Sequence, residues 1–312
     1  MSTTGLATFN LDMNDLVEEA FERCGSQLRT GYDFRTARRS MNLLTIEWAN
    51  RGINLWTIEQ GQITMNTGQA IYPIPVDTID LLDTVVRTYN GQGNNQSDIN
   101  ISRISESTYI TIPNKNANGR PIQVWVNRQS GNISALPQTT LAAGYPISST
   151  DTTITLTDAS TIPSQGFINI GTETIGYQNV IGNQIINAWR GQNGTTATSH
   201  VALADVFTNN LPCINVWPTP NAPGNQYTFV YYRLRRVQDA GNGVNTQDIP
   251  FRFIPVMAAG LAYYLSSKIT DVDPGRIAFL KSEYEQQWDF ASTEDREKAP
   301  VRFVPRNMFY YR

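Results

Sequence analysis

The chain carries a single histidine, His200, and any hydrolysis of the Ser–His or Cys–His type would depend on it. Such chemistry needs a nucleophile within hydrogen-bond reach of the base. The histidine lies in the polar segment GTTATSHVALADV, and no nucleophile motif such as G-x-S-x-G accompanies it. The sequence therefore favours a structural or surface role for His200.

The two cysteines, Cys24 and Cys213, are far apart in the chain and belong to no metal or redox motif. Together with one histidine they cannot form a zinc site of the usual type. The segment TDVDPG matches a calcium loop only in its first positions and is better explained as a helix cap. We predict two buried, reduced thiols, no metal and no cofactor.

Carboxylates are the remaining candidates for acid–base chemistry. The segment SEYEQQWD holds Glu283, Glu285 and Asp289, but Glu283 and Asp289 are six residues apart and diverge on a helix. This spacing predicts a solvated helix face. The glycine-containing segments GNGVNT and GQGNNQ lack the lysine and the following helix that phosphate binding requires. We therefore expect that the protein is not an enzyme.

The composition indicates a mostly neutral, polar surface. Charged residues make up 16% of the chain and the net charge is −3, which gives no global attraction to nucleic acid or to an anionic membrane. Most basic residues are arginine, which suits protein–protein contacts. Basic clusters at Arg38 and Arg39 and at Arg233, Arg235 and Arg236 leave nucleic-acid contact open. Because no aromatic stacking platform lies beside them, we favour salt bridges.

Helical periodicity occurs only near the two ends of the chain. Four segments each place apolar residues on one face, and these predicted faces are Leu16, Val17, Ala20, Phe21 and Cys24; Ala37, Met41, Leu44 and Trp48; Ile254, Met257, Leu261 and Tyr264; and Ile277, Leu280, Tyr284 and Trp288. The second helix is expected to carry Arg35, Arg38, Arg39 and Glu47 on its opposite face. Because each helix has only one apolar face, the four are expected to pack together.

Short polar residues, prolines and glycines mark the predicted helix ends. The expected N-caps are Asp12 or Asn14, then Asp33, and finally Asp273 before Pro274. Pro255 is expected in the first turn of the third helix. Gly25 and Gly52 are the expected C-terminal stops of the first two helices.

The middle of the chain changes to the two-residue period of β-strands. The segment QGQITMNTGQAIYPIP predicts two strands around a turn at residues 66–68. DLLDTVVRTYN, SRISESTYITIP and PIQVWVNRQ predict further strands, and CINVWP and YTFVYYRLRRV the last strands of the same sheet. Residues 133–207 interrupt this pattern with a segment rich in Thr, Ser, Ile and Gly that has one arginine, Arg190, and no lysine. That change in composition predicts a separate, inserted β-domain.

These patterns predict an α+β fold. Its expected parts are a discontinuous helical bundle from both termini, an antiparallel β-domain, an inserted small β-domain and an extended C-terminal arm. The boundaries are residues 1–60 with 248–298 for the helices, 61–132 with 208–247 for the β-domain, 133–207 for the insert and 299–312 for the arm. The arm, APVRFVPRNMFYYR, combines arginines and aromatics, the residues enriched at interface centres. It is expected either to pack back on its own domain or to dock on another subunit.

The segment RTARRSMNLLTIEWANRGINLWTIEQGQITMNTGQAIYPIPVDTIDLLDTVVR, residues 35–87, resembles the head-to-tail adaptor (connector) proteins of short-tailed bacteriophages. The segments FRFIPVMAAGLAYYLSSKI and RIAFLKSEYEQQWDFASTEDREKAPVRFVP are similar to the end of the same family. Within the insert, GFINIGTETIGYQNVIGNQIINAWRGQNGTTATSH resembles a module of several phage structural proteins, in which a glycine is expected where Leu203 stands.

This resemblance implies a structural virion protein at the head–tail interface, synthesised in the host cytoplasm. The family forms a ring, usually of twelve copies, beneath the portal, and joins the portal to the tail nozzle and fibres. Double-stranded DNA passes through its channel without specific binding, and no membrane is involved. The portal-binding residues implied in the arm are Arg302, Phe303, Arg306, Phe309, Tyr310, Tyr311 and Arg312.

A tail-fibre or carbohydrate-binding tail component is the alternative function. The Thr- and Asn-rich insert carries Tyr177 and Trp189, whose rings could stack against a sugar. Under either function, replacing His200 is expected to leave the function unchanged.

Overall fold

The structure is a computed structural model that describes residues 5, 9–52, 55–89, 96–221, 227–241, 244–270 and 272–295. Its helices are α1 (Met13–Cys24), α2 (Gly31–Arg51), α3 (Glu106–Ile110), α4 (Ile254–Ser266) and α5 (Pro274–Glu294), with short 3-10 helices at Leu55–Thr57 and Phe251–Phe253. Its strands are β1 (Ile58–Thr64), β2 (Ile71–Pro73), β3 (Thr78–Tyr89), β4 (Gln96–Asn100), β5 (Ser102–Ile104), β6 (Asn118–Gly119), β7 (Gln123–Asn127), β8 (Thr139–Thr140), β9 (Ile154–Thr155), β10 (Gly166–Ile170), β11 (Glu173–Tyr177), β12 (Asn179–Ile181), β13 (Gln184–Ile186), β14 (Trp189–Gln192), β15 (Asp205–Asn209), β16 (Cys213–Trp217), β17 (Thr219–Pro220) and β18 (Tyr227–Arg235). The predicted α+β class is confirmed.

The chain forms two compact units, Met1–Thr57 with Arg236–Arg312 and Ile58–Arg235. The first contains α1, α2, α4 and α5, so helices from both ends of the chain belong to one unit. Its boundaries lie at residues 57 and 236, whereas the sequence had suggested 60 and 248. The insert, residues 133–207, lies inside the second unit. The C-terminal arm, residues 299–312, lies outside the described residues.

The helical unit is organised around α4, which is buried along most of its length. Helices α1, α2 and α5 all pack against it. At Gly260 an added Cβ would lie 2.9 Å from both Leu44 Cδ2 and Tyr284 Cε2, so this glycine allows α2 and α5 to approach α4 closely. The four predicted apolar faces are buried, except that Tyr264 and Ile277 are half-buried.

Most predicted helix ends are confirmed. Asp12 caps α1 by accepting a hydrogen bond from the Asp15 N–H at 2.9 Å, and Gly25 ends that helix in the left-handed conformation. The prediction that Asp33 caps α2 is wrong, because Thr30 is the N-cap. The Thr30 hydroxyl accepts from the Asp33 N–H at 3.2 Å, and the Asp33 carboxylate accepts from the Thr30 N–H at 3.1 Å. This reciprocal capping box satisfies two backbone donors, which a cap at Asp33 would not do.

Other helix ends follow the sequence directly. Gly52 ends α2 in the left-handed conformation. Asp273 caps α5 and Pro274 is its first residue, while Pro255 lies in the first turn of α4. Each proline sits where the backbone N–H has no helical partner to lose.

The second unit contains two four-stranded sheets, ordered β1-β18-β3-β4 and β2-β16-β7-β5. One hydrophobic core takes side chains from both sheets, among them Tyr72, Val124, Ile214 and Phe229. Most pairings among the described residues are antiparallel, as predicted, but β5 pairs with β7 and β6 with β17 in parallel.

The sequence-based pairing of these strands is wrong in two places. Strands β1 and β2 lie in different sheets, and so do β16 and β18. The Tyr72 hydroxyl accepts from the Asn66 N–H at 2.9 Å and donates to the Gln69 carbonyl at 2.9 Å. These bonds hold a turn that carries the chain from one sheet to the other instead of folding β2 back on β1.

The segment SRISESTYITIP is only partly a strand. After β5 the chain forms α3, whose N-cap Ser105 accepts a hydrogen bond from the Thr108 N–H at 3.2 Å. Tyr109 of this helix stacks on Trp125, with ring centroids 5.1 Å apart. The serine cap, followed by Glu106 in the first turn, overrides the strand preference of the later residues.

The insert has its own antiparallel sheets, ordered β14-β11-β10-β15-β8 and β12-β13-β9. Isoleucines dominate its separate core, among them Ile154, Ile168, Ile175 and Ile185. Leu203 has a φ of 64°, the left-handed region that favours glycine. This is the position at which the resemblance of the insert had suggested a glycine.

We predict that Leu203→Gly stabilises the protein by roughly 0.5–1 kcal/mol. Relief of left-handed strain gains about 1–2 kcal/mol, and the added freedom of glycine in the unfolded chain offsets part of it. The leucine side chain is 61% exposed and contributes little packing. Urea unfolding measures the change. Val201→Gly is the control, since Val201 is also exposed but has no left-handed backbone; a loss of stability in both variants would contradict the prediction.

Candidate assembly surface

Helices α2 and α5 are joined by the guanidinium of Arg51. It donates to Glu47 on its own helix and to Glu285 of α5, with Nη1 3.0 Å from Glu285 Oε2. It also lies over the rings of Tyr284 and Trp288, 5.1 and 4.8 Å from their centroids. The hydrogen bond to Glu285 raises the pKa of Arg51 further, against the opposing effect of burial. The angle between α2 and α5, and hence the surface that they present, depends on this contact.

A second arginine joins α1 to α5. Arg23 donates to Glu19 on its own helix and to Glu283 of α5, each at 2.8 Å. The predicted solvated face of α5 is therefore wrong for Glu283 and Glu285, which are half-buried in ion pairs, and holds only for the exposed Asp289. The sequence did not reveal these pairs because their partners lie more than 200 residues away.

The outer side of α1 is acidic. Asp15, Glu18 and Glu22 are exposed and follow one another at spacings of three and four residues, so they share one face of the helix. Within the described part of the chain, none of the three takes part in an ion pair. We call this surface the acidic face.

The outer side of α2 begins basic and ends apolar. Its exposed residues, again three or four apart, are Tyr32, Arg35, Arg39, Leu43 and Ile46. Leu43 and Ile46 expose 52% and 48% of their surface and, three residues apart, are neighbours on this side of the helix. We call this stripe the basic–apolar face. The sequence predicted the exposed arginines, but it wrongly placed Glu47 beside them; that side chain is half-buried and accepts a hydrogen bond from Tyr264 at 2.7 Å.

The two faces are complementary in charge and lie on different helices of one unit. Like faces of two copies would repel each other, whereas the acidic face of one copy would attract the basic–apolar face of another. The two faces suit a head-to-tail contact, in which one face of a copy meets the other face of the next copy. Neither Arg35 nor Arg39 has an ion-pair partner among the residues that the structure describes.

The second basic cluster is used within the chain. Arg233 of β18 contacts Asp77 and lies 2.9 Å from Glu59 Oε2, while Arg235 Nε lies 2.6 Å from Glu59 Oε1. These carboxylates offset the positive charge at this end of the sheet. The preference for salt bridges over nucleic-acid contact therefore holds for Arg233 and Arg235.

The one histidine belongs to a buried charge cluster in the insert. The Glu173 carboxylate is fully buried and accepts two hydrogen bonds from Arg190, each at 2.8 Å, and one each from the N–H groups of Gly191 and Thr198. His200 Nε2 lies 2.8 Å from Glu173 Oε2 and must be the donor, because an ionised carboxylate only accepts. The cluster ties the loops of the insert together and offers no unused acid or base. A structural His200 agrees with the sequence-based expectation.

No metal or membrane chemistry is indicated within the described ranges. Cys24 and Cys213 are buried and unpaired, and burial raises the pKa of their thiols to about 11 and about 12. No group of three or more metal-ligating side chains occurs among the described residues. None of the helices in the described part combines the length and the apolar character that crossing a bilayer requires.

The portal-binding residues suggested by the resemblance, from Arg302 to Arg312, lie outside the described residues.

The two aromatic side chains proposed to stack against a sugar differ in their exposure. Trp189 is half-buried, whereas Tyr177 is 1% exposed and cannot stack against a sugar at the surface.

No protein-family model and no curated protein matches the chain.

We predict that Glu173→Gln destabilises the second unit by about 3 kcal/mol at neutral pH. Burial would raise the pKa of Glu173, but the hydrogen bonds from Arg190, Thr198, His200 and Gly191 outweigh it and hold the pKa at about 2. The stabilisation is therefore present above the unfolded-state pKa near 4.5 and is lost as the pH falls towards 2. Urea unfolding as a function of pH measures both effects.

The matched control is Asp205→Asn, which neutralises an exposed carboxylate of the same insert. It is expected to change the stability little. Equal stability of Glu173→Gln and the unmodified protein at neutral pH would show that the cluster contributes nothing to folding.

Proposed function

We propose that this chain is a structural virion protein, a ring-forming head-to-tail adaptor that joins a portal to the tail nozzle and fibres and encloses the DNA channel. The proposal rests on the acidic face of α1 and the basic–apolar face of α2. The two faces carry opposite charges, and their charged residues have no ion-pair partner among the described residues. Rings are the closed product of head-to-tail contacts between identical copies. The resemblance of residues 35–87 and of the late helices to phage adaptors gives the same assembly.

The contact proposed between copies is weak for a single pair. Exposed ion pairs contribute about 0.2–1 kcal/mol each, and Leu43 and Ile46 add only a small apolar area. Such a contact leaves the free protein a monomer or a weak oligomer and becomes stable when a portal holds several copies side by side. This property suits an adaptor, because a ring that closed early would have to find its portal already assembled.

In this assembly the arginines of α2 are neutralised by the neighbouring copy. Arg35 and Arg39 then do not contact DNA, and the net charge of −3 gives no further attraction to it. DNA can therefore pass without being held, which a channel protein requires. No catalytic step is part of this function.

The C-terminal segment is proposed to bind the portal. Its arginines and aromatic residues, Arg302, Phe303, Arg306, Phe309, Tyr310, Tyr311 and Arg312, have the composition of interface hot spots. Pro300 and Pro305 restrict the free segment and so lower the entropy lost on docking.

We predict that removing residues 299–312 leaves a folded protein that no longer binds the portal. The melting temperature is expected to stay close to that of the full chain, and co-sedimentation with portal-bearing heads to be lost. Removal of Arg302, Phe303 and Arg306 alone, by substitution with Ala, should weaken binding without abolishing it. Portal binding by the shortened chain at full strength would refute the proposed role of the segment.

We further predict that reversing the charge of either face weakens association between copies, and that mixing the two reversed variants restores it. Glu18→Arg with Glu22→Arg, or Arg35→Glu with Arg39→Glu, should each weaken self-association about ten-fold or more, since like charges then meet. An equimolar mixture of the two double variants should associate again, because opposite faces are restored between alternating copies. Sedimentation equilibrium of the full chain at low ionic strength measures the association.

The control for this experiment is Arg120→Glu, an exposed charge reversal in the other unit, which should change nothing. The mixture is the decisive sample. Failure of the mixture to associate, or a monomeric unmodified chain at every protein and salt concentration, would rule out the contact between these two faces.

A further inference from the structure

A cavity of about 470 Å³ lies in the helical unit, between the C-terminal ends of α1 and α4 and the first turns of α2. Tyr32 and Thr36 of α2 line it, and Tyr32 also belongs to the basic–apolar face. The cavity therefore borders the surface that is proposed to bind the next copy. Two cationic side chains, Arg29 and Lys268, belong to its lining.

The ammonium group of Lys268 is held by a neutral partner. Its Nζ donates to Ser40 Oγ at 2.7 Å, and that hydroxyl donates to the Thr36 carbonyl at 2.8 Å. Ser40 is fully buried, so this chain of hydrogen bonds ties Lys268 to α2. Neither Lys268 nor Arg29 takes part in an ion pair within the described part of the chain.

Arg39 brings a further positive charge to the same place. Its Nη2 donates to Thr36 Oγ1 at 3.4 Å, on the wall of the cavity. Burial and the nearby charge of Arg39 both lower the pKa of Lys268. Like charges held close together repel each other, and an anion placed between them removes that repulsion.

The carboxylate of Asp33 also lines the cavity, but it is engaged elsewhere. It accepts from the Thr30 N–H at 3.1 Å as part of the capping box of α2. Even with Asp33 included, the side chains of Arg29, Arg39 and Lys268 leave a net positive charge here. Such an environment suits the end of an acidic side chain.

We propose that a carboxylate from the acidic face of the next copy enters this cavity and pairs with Lys268. This inference rests on the proposed head-to-tail contact and deepens it. The acidic face offers Asp15, Glu18 and Glu22, all exposed and without an ion-pair partner among the described residues. Because Lys268 follows α4, the contact then involves two elements of the receiving copy, which fixes its orientation as well as its charge.

The first test compares lysine variants of the full chain by sedimentation equilibrium at low ionic strength. Lys268→Gln should weaken self-association about two- to five-fold, the effect of one partly exposed ion pair. Lys268→Arg keeps the charge and should associate like the unmodified chain. Lys281→Gln, which removes an exposed lysine from α5 of the same unit, is the control and should change nothing. Equal melting temperatures of the variants verify that each is folded.

The second test observes Lys268 directly. The chain has four lysines, so reductive methylation with ¹³C-formaldehyde gives few NMR signals, and Lys268→Arg assigns the signal of interest. That signal should shift as the protein concentration is raised, while the signal of Lys115 in the other unit should not. A shift on adding phosphate or acetate to dilute protein, with none on association, would identify a site for a small free anion and overturn the proposal.

The outcomes separate this inference from the proposed contact between copies. If Arg35→Glu with Arg39→Glu weakens association but Lys268→Gln does not, the contact stands and the pairing of Lys268 is refuted. If the unmodified chain does not associate at any concentration, the contact and the pairing are refuted together.

Discussion

The packing of three amphipathic helices on α4 is the constraint on which the helical unit depends. Helices α1, α2 and α5 each have a single apolar face, and only α4 is buried along most of its length. The Gly260 backbone, which Leu44 and Tyr284 approach too closely for any side chain, lets two helices reach it at once. Because these helices come from both ends of the chain, folding brings the ends together and the middle must leave and return as a separate unit.

Several arginines form ion pairs that hold distant parts of the chain together. Arg23, Arg51, Arg190 and Arg233 each contact carboxylates of the same chain, mostly at distant positions in the sequence. These pairs fix helices, sheets and loops, so the paired charges have a role within the chain. The acidic face of α1 and the basic–apolar face of α2 take no part in these pairs, and the proposed contact between copies is the role assigned to them.

The polar cluster around Glu173 in the insert is another example of charges paired within the chain. Glu173 is buried with every acceptor position used, so the cluster around it is a structural feature. It ties the loops of the insert together, as Arg51 ties α2 to α5.

Local signals in the sequence determined the four helices of the helical unit, their buried faces and most of their ends, because apolar spacing, prolines and glycines act within a few residues; the short helix α3 was missed. They also determined the change of composition at the insert, the exposed Arg35 and Arg39, and the structural role of His200. Tertiary structure alone decided which strands share a sheet and which residues pair with Glu283 and Glu285. These features join residues far apart in the chain, such as Arg51 with Glu285, and no local pattern records which distant surfaces will meet once each element has buried its apolar face.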